Sequence, residues 1–311
     1  MIWSISSYKE FQRCQRRWFL NKKAASKSPK DEFRREVHFL SELEGIDAWR
    51  GKIVDYTISE FVIPKLNRKE SIVTSEVFAF TKKLTRARYD FAKAFRYKEE
   101  KLKKTDHVYD YAALYEFEYT SSTEDIKAKL KKAWSEIELA LGNFLGNQEL
   151  IEHLKTASYL AKQKNLMFKS HGHNVKGVPD LIAFFPDRPP HIVDWKVHYY
   201  GTKSYNEQLL VYAVALKSCN PHKDFPANLA DYTIQDISLT EYQLLKNTIR
   251  NYNVTDYHIE IINDFIASGL YAMQRKNCDE KYEKLNIEDF EQTQNLDNCK
   301  TCPFKKVCKE K

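Results

Sequence analysis

Gly177-Val178-Pro179-Asp180 and, after the interruption Pro186-Asp187-Arg188-Pro189-Pro190, Val193-Asp194-Trp195-Lys196 are the residues whose reading decides the fold. Val178, Leu181, Ile182, Ala183, Ile192 and Val193 give both segments the apolar character of strands in a buried sheet, and the proline-rich break between them predicts a hairpin. A strand alternates its faces, so Asp194 and Lys196, two apart, point the same way and Trp195 points to the other face, into the core. Asp180 ends or interrupts the first strand. Pairing as a hairpin lets it approach Asp194 on the face that carries Lys196. By itself Asp-x-Lys is a common surface pattern; the apolar setting makes it informative. Charges on buried strands are costly unless they are paired or coordinate a metal.

Two carboxylates held close repel each other and favour a cation between them. Mg²⁺ takes oxygen ligands and keeps several waters, which suits one or two carboxylates plus a substrate phosphate. A metal so placed activates water and stabilises charge on phosphorus. Lys196 would then bring positive charge to the scissile phosphate or orient the attacking water. The backbone carbonyl of Trp195 is a further candidate metal ligand.

Outward from this segment, apolar spacing predicts helices over 4–27 (Ile5, Tyr8, Phe11, Trp18, Phe19), 47–66, 74–104 and 121–145. Ser28-Pro29-Lys30-Asp31 breaks the first, with Asp31 able to cap the next helix, and Ser121-Ser122-Thr123-Glu124-Asp125 opens the last. Strands are predicted over 166–169, 174–185 and 191–197, then a helix over 202–219, a strand at 231–239 and a long helix over 240–268. This divides the chain into an N-terminal helical region (1–46), a helical lobe (47–160), an α/β core (161–270) and a cysteine-bearing tail (271–311). With 311 residues, two domains or one domain with a large insertion are expected. Only 8 Gly and 9 Pro exclude a low-complexity or collagen-like chain. No apolar run approaches the length of a membrane span, and the first residues lack the pattern of a secretory leader, so a cytoplasmic protein is expected. No GxxxxGK[ST] phosphate-binding loop occurs, so the chain carries no motor of its own.

Six cysteines in such a chain point to metal or reactive thiols before disulfides. Cys299-x2-Cys302-x5-Cys308 places three thiols in ten residues. A tetrahedral site or a cubane needs a fourth ligand, for which Cys14 is the candidate. Spacing does not separate zinc from iron. Cys219 and Cys278 have no partner spacing; Cys219 closes an apolar helix and reads as a core thiol.

Gly177-Val178-Pro179-Asp180, Asp194-Trp195-Lys196 and Gln208-Leu209-Leu210-Val211-Tyr212 together resemble the PD-(D/E)XK nuclease superfamily, and within it the RecB-like exonuclease branch, whose signature Gln-x-x-x-Tyr follows the catalytic strands. Gln208 and Tyr212, four apart, stack on one helix face. The resemblance implies an αβββαβ restriction-endonuclease-like core of the α/β class, with Asp180 and Asp194 as Mg²⁺ or Mn²⁺ ligands, Lys196 catalytic, and Gln208 and Tyr212 positioning the metal site or the DNA. The branch usually has a His in an Arg-Gly-x-x-x-His helix; here Arg50-Gly51 is followed by Asp55. Asp55 is either a harder metal ligand in place of imidazole or a plain helix-surface acid. His38 lacks the Arg-Gly context.

Cys14 in its Phe11-x-x-Cys14-x-Arg16-Arg17-Trp18 setting, with the tail cysteines, is similar to the iron–sulfur nucleases, including the AddB nuclease domain and the nucleases of CRISPR adaptation. That likeness implies a [4Fe–4S] cluster on Cys14, Cys299, Cys302 and Cys308, an iron–sulfur clasp joining the termini. Zinc on the same thiolates is the alternative.

Residues 81–104 hold ten basic side chains against three acidic ones, interleaved with Tyr89, Phe91, Phe95 and Tyr97. Phosphate backbones reward such charge and aromatic faces stack unpaired bases. Arg86, Lys93, Arg96, Lys101, Lys103 and Lys104 are therefore candidate DNA contacts; the competing reading is a solvated helix face. Arg13, Arg16, Arg17, Lys22 and Lys23 form a second cluster near Cys14. The expectation is a metal-dependent exonuclease on single-stranded DNA ends, acting alone or beside a helicase, repair or defence protein. The alternative is a catalytically silent DNA-binding or assembly module of the same fold.

Overall fold

The computed structural model describes residues 1–28, 30–120, 122–199 and 205–308. Pro29, Ser121 and the first residues of the 202–219 helix lie outside them. Two sheets organise the chain. One has three strands, β1 (Ile2–Trp3), β3 (Leu166–Ser170) and β4 (His173–Gly177), in the order β1-β4-β3. The other has five, β2 (Tyr159–Lys162), β5 (Leu181–Phe184), β6 (His191–Lys196), β7 (Ser238–Gln243) and β8 (Thr248–Tyr252), in the order β2-β5-β6-β7-β8. β5 and β6 are antiparallel, whereas β6 and β7 are parallel. A parallel pair needs a crossover, supplied by a helix spanning Tyr205–Ser218.

In chain order the helices are α1 (Ile5–Arg13), α2 (Gln15–Phe19), α3 (Glu32–Glu42), α4 (Ile46–Thr57), α5 (Ile63–Asn67), α6 (Thr74–Lys93), α7 (Tyr115–Tyr119), α8 (Thr123–Gly146), α9 (Gln148–Lys155), the crossover helix α10, α11 (Asp256–Gln274), α12 (Asp297–Lys300) and α13 (Lys305–Cys308). The run α9–β2–β5–β6–α10–β7 has the expected helix, three strands, helix, strand order, with the β3–β4 hairpin inserted between β2 and β5. None of the described helices is long and apolar enough to cross a membrane.

Alternation along the strands sorts two cores. Ile182, Phe184 and Ile192 face a core built with α1, α2, α10, α11 and the tail; Leu181, Ala183, Val193 and Trp195 face the lobe of α4, α6, α8 and α9. Arg50, on α4, ties that lobe to the end of β6: its guanidinium donates to the Val197 carbonyl (2.7 Å) and pairs with the buried Glu136. The two ends of the chain also meet. The Arg16 N–H donates to the Glu291 carbonyl at 3.1 Å, and Phe19 packs on Phe290 with ring centroids 4.7 Å apart.

Several boundaries differ from expectation, each for a local reason. The predicted 4–27 helix is broken at Cys14, which is extended and caps α2 through its sulfur. Asp31 and Ser122 cap α3 and α8 as expected. The 74–104 helix stops at Lys93, because Phe95 adopts the left-handed region (φ 53°). The single run 174–185 is two strands in two sheets; Pro179 has no N–H to continue a ladder, and the chain changes sheet there. The largest correction concerns 231–268. Residues read as a strand and then a long helix form the β7–β8 hairpin, turned at Asn247 (φ 49°), and α11 begins only after a Thr255 capping box.

Candidate active site

The β5–β6 register pairs Leu181 with Val193, so one step further along the hairpin Asp180 comes opposite Asp194. Asp180 feels the charge of Asp194 across the hairpin. Asp180 Oδ2 also accepts from the Trp195 backbone N–H at 2.9 Å. Lys196, two residues from Asp194 and on its face, sets its Nζ 2.5 Å from Asp194 Oδ2. The α10 crossover brings Gln208 down onto this pair. Its Oε1 accepts from Lys196 Nζ (3.2 Å), its Nε2 donates to Asp194 Oδ1 (3.4 Å), and the Tyr212 hydroxyl, one turn on, is bonded to the same amide. Gly177 permits the close approach of α10: a Cβ there would stand 3.1 Å from the Tyr212 ring and 3.2 Å from Ala215 Cβ. All five sequence-predicted catalytic residues therefore form one network.

Asp55 joins them from the lobe. It accepts from the Trp195 indole N–H (3.1 Å) and from the Gln163 amide (2.6 Å). The Trp195 ring packs edge-on against Phe144, on the face opposite Asp194, as alternation requires. His38 sits elsewhere, on α3 among Glu42, Lys27 and Lys104.

Burial dominates the electrostatics. Asp180 is held well above the usual carboxylate range by burial, then by the charges of Asp194 and Asp55. Burial likewise raises Asp194, against the pull of Lys196, and raises Asp55 against its hydrogen bonds from Trp195 and Gln163. Three mutually repelling carboxylates with one ammonium make a hard-oxygen donor set that suits Mg²⁺ or Mn²⁺. Among the described residues no three His, Cys, Asp or Glu side chains are already grouped to hold an ion. Here the Lys196 ammonium occupies Asp194, and Asp55 is turned to Trp195 and Gln163.

Sequence reasoning missed Glu241 and Gln243. The parallel register places Glu241 beside Asp194 and Gln243 beside Lys196. Glu241 is fully buried; its Oε1 accepts from Gln243 and Arg250, while its Oε2 has no partner among the described residues. Reading 240–268 as helix hid this pair, since only strand periodicity puts both on the Asp194 face. Lys9 was missed as well. Half-buried on α1, it pairs with Glu207 at 3.6 Å and feels the charge of Lys196.

Cys14, Cys299, Cys302 and Cys308 line one cavity of about 490 Å³ together with Arg13, Arg17, Lys300 and Lys305. Burial pushes the Cys302 and Cys308 thiols up, and the neighbouring cysteines add to it. As with the acids, no three of these thiols are grouped as a ready metal site. Cys219 and Cys278 are core thiols, the latter pushed up to about 12 by burial.

The basic segment is partly neutralised. Arg86 pairs with Asp90 (2.8 Å), Arg96 with Glu99 (3.1 Å) and Lys104 with Glu42; Lys93 lies over the Tyr89 ring, and Lys101 and Lys103 are exposed. In the second basic cluster, Arg16 is buried against the Phe290 carbonyl and Glu288.

The family model of the PD-(D/E)XK nuclease superfamily matches residues 2–309. Among curated proteins nothing matches. The solved structures that match include two at low identity. A protein named "Putative exonuclease" from Eubacterium rectale shares 12% identity with a TM-score of 0.35, over 88% of this chain and 92% of that one. The crystal structure of SSO0001 shares 14% identity with a TM-score of 0.29, over 60% of this chain and 77% of that one.

Proposed function

Because the chain belongs to the PD-(D/E)XK nuclease superfamily, we propose that it is a nuclease of the RecB-like kind that shortens single-stranded DNA from an end, using Mg²⁺ or Mn²⁺ at its acidic pair. The observation that carries this reading is the network of Asp180, Asp194, Lys196, Gln208 and Tyr212 on one face of β5, β6 and α10. Asp180 and Asp194 would hold the ion, with Asp55 in place of the usual His and the Trp195 carbonyl as a further ligand. When bound, the ion supplies Lewis acidity at the phosphoryl oxygens and a water of lowered pKa. The chain's own residues do the rest. Lys196, steadied by Asp194 and Gln208, presents its ammonium to a non-bridging phosphate oxygen as charge develops there. Gln208, held by Tyr212, fixes the orientation of that ammonium. Buried walls raise the worth of each of these charges by excluding water.

In this reading residues 161–270 are the catalytic core, 47–160 the lobe that delivers Asp55, and 1–46 and 271–311 the regions joined by a [4Fe–4S] cluster on Cys14, Cys299, Cys302 and Cys308. The shared cavity of those four thiols and its cationic rim support the cluster. Its role is a clasp: a strong thiolate site readily offsets the slowly growing cost of closing a long loop. Anaerobically purified protein should be brown with a broad visible band; a colourless protein carrying zinc would overturn the iron assignment.

The function is tested with end-labelled single-stranded and duplex DNA and Mg²⁺ or Mn²⁺. Progressive shortening of the single strand is expected, lost in Asp194→Ala and Lys196→Ala and retained in Lys127→Ala, an exposed position of α8 outside the network. Tight binding without metal-dependent products on any substrate would select a silent module instead.

A further inference from the structure

Beside the acid pair lies a cleft of about 910 Å³ that Gln208 and Tyr212 share with Lys9 of α1, Lys22 and Lys23 of the turn after α2, and Lys176 of β4. Four lysines from three separate parts of the fold converge on it, and none of its lining side chains is acidic. Lys22 and Lys176 make no ion pair among the described residues. Lys23 is held in place by the Glu280 carbonyl at 2.8 Å, and Lys9 by Glu207. Gathering like charges around one space is unfavourable for the free protein, and such a field concentrates an anionic ligand. Residues 81–104 are mixed by comparison: Arg86, Arg96, Lys98 and Lys104 each have a carboxylate partner, whereas Lys82, Lys83, Lys93, Lys101 and Lys103 are exposed but scattered along a helix and the loop after it, not gathered around one space.

From this we propose that the lysine-lined cleft is the track along which a single strand of DNA reaches Asp194 and Lys196, with Lys22 and Lys176 as direct phosphate contacts. The assignment rests on the nuclease reading above and adds where the strand lies. The cleft is at the upper end of the volumes that take small ligands, room on the order of a few flexible nucleotides. The contacts are to phosphate, so recognition is independent of base sequence and strongly salt-dependent.

The test is fluorescence anisotropy of the full chain with a labelled oligothymidine of about 12 nucleotides, in EDTA so that nothing is cut, across a range of salt concentrations. Lys22→Ala and Lys176→Ala should each weaken binding about fivefold near 0.1 M salt and reduce the slope of log K against log salt by about 0.7, as expected for one phosphate contact on a single strand. Lys22→Arg and Lys176→Arg should restore binding, which a merely misfolded variant would not. Unchanged affinity in both alanine variants, or loss confined to Lys101→Ala and Lys103→Ala, would overturn the cleft. Equal binding of duplex, lost by the same variants, would overturn the single-strand assignment. The two readings fail separately. A wild-type protein that cuts DNA while the cleft variants bind normally loses the track and keeps the nuclease. One that never cuts, yet loses binding with Lys22 and Lys176, loses the nuclease and keeps the track.

Discussion

Asp180→Asn should make the metal-free protein more stable at neutral pH while abolishing cleavage. Burial first, then the charges of Asp194 across the hairpin and of Asp55, holds the Asp180 carboxyl well above the ordinary range, against the pull of Lys196. A carboxyl with a raised folded pKa binds protons more readily in the native state than unfolded. Its contribution to stability is therefore fully present below the unfolded pKa of about 3.9 and is lost as pH rises through the folded one. Residues directly opposite on antiparallel strands have Cβ atoms about 5 Å apart. Two unit charges at that separation, at an effective dielectric of about 20, repel by about 3 kcal/mol. Asn keeps an oxygen for the Trp195 N–H and removes the charge. For a chain of this size about 3 kcal/mol corresponds to a rise of roughly 5 °C in Tm. Saturating Mg²⁺ should close the gap, because wild type gains about 2.7 kcal/mol at a hundredfold excess over Kd and the variant gains less. Thermal melts in EDTA and in Mg²⁺, at pH 4 and pH 7, read all of this. An Asn variant that is less stable in EDTA at pH 7, or a difference that does not shrink at pH 4, would refute the reasoning.

Lys196→Met removes the ammonium that the network holds, and single-turnover cleavage should fall by about 10²–10³ with DNA affinity little changed. Tyr212→Phe frees one bond of the Gln208 amide; a loss of about 1 kcal/mol, roughly fivefold in kcat with KM unchanged, is expected from steady-state kinetics. Gly269→Ala drives a Cβ to 2.6 Å from Trp3 Nε1 and 3.1 Å from the Tyr8 ring. Denaturant unfolding should show about 1–3 kcal/mol of destabilisation without loss of specific activity in the folded fraction. Arg50→Ala leaves the buried Glu136 carboxylate only the exposed Lys132 at 3.8 Å and removes the donor to the Val197 carbonyl; it should cost about 3–5 kcal/mol, of which the Arg50→Met/Glu136→Leu pair recovers the part due to the lone carboxylate.

The acid pair, the lysine and the Gln–Tyr helix face were legible because each follows from a period: two for Asp194 and Lys196, four for Gln208 and Tyr212. A hairpin then brings Asp180 to Asp194 without further information. What local periodicity does not carry is which sheet a strand joins. Val175 and Ile182 look alike in sequence, yet the break at Pro179 sends them to different sheets. The β7–β8 hairpin was hidden for a related reason. Leu239, Tyr242, Leu244 and Leu245 fit a helical stripe as well as a buried strand, and the decisive turn is one Asn in the left-handed region. Losing that hairpin also lost Glu241, whose place beside Asp194 exists only in the parallel register. The lysine cleft could not be assembled from the sequence: Lys22 and Lys23 stood out as part of a basic cluster, but Lys9 and Lys176 join them only through tertiary packing.

The seam between the first and last segments has a kinetic consequence. Trp18 and Phe19 bury against Tyr282 and Phe290, partners synthesised more than 260 residues later. At about 5–20 residues per second, a nascent chain waits roughly 13–50 s for them, with those rings uncovered on the ribosome. The expected consequence is that its yield rises with holdase chaperone supply during translation, more than with the stability of the finished molecule.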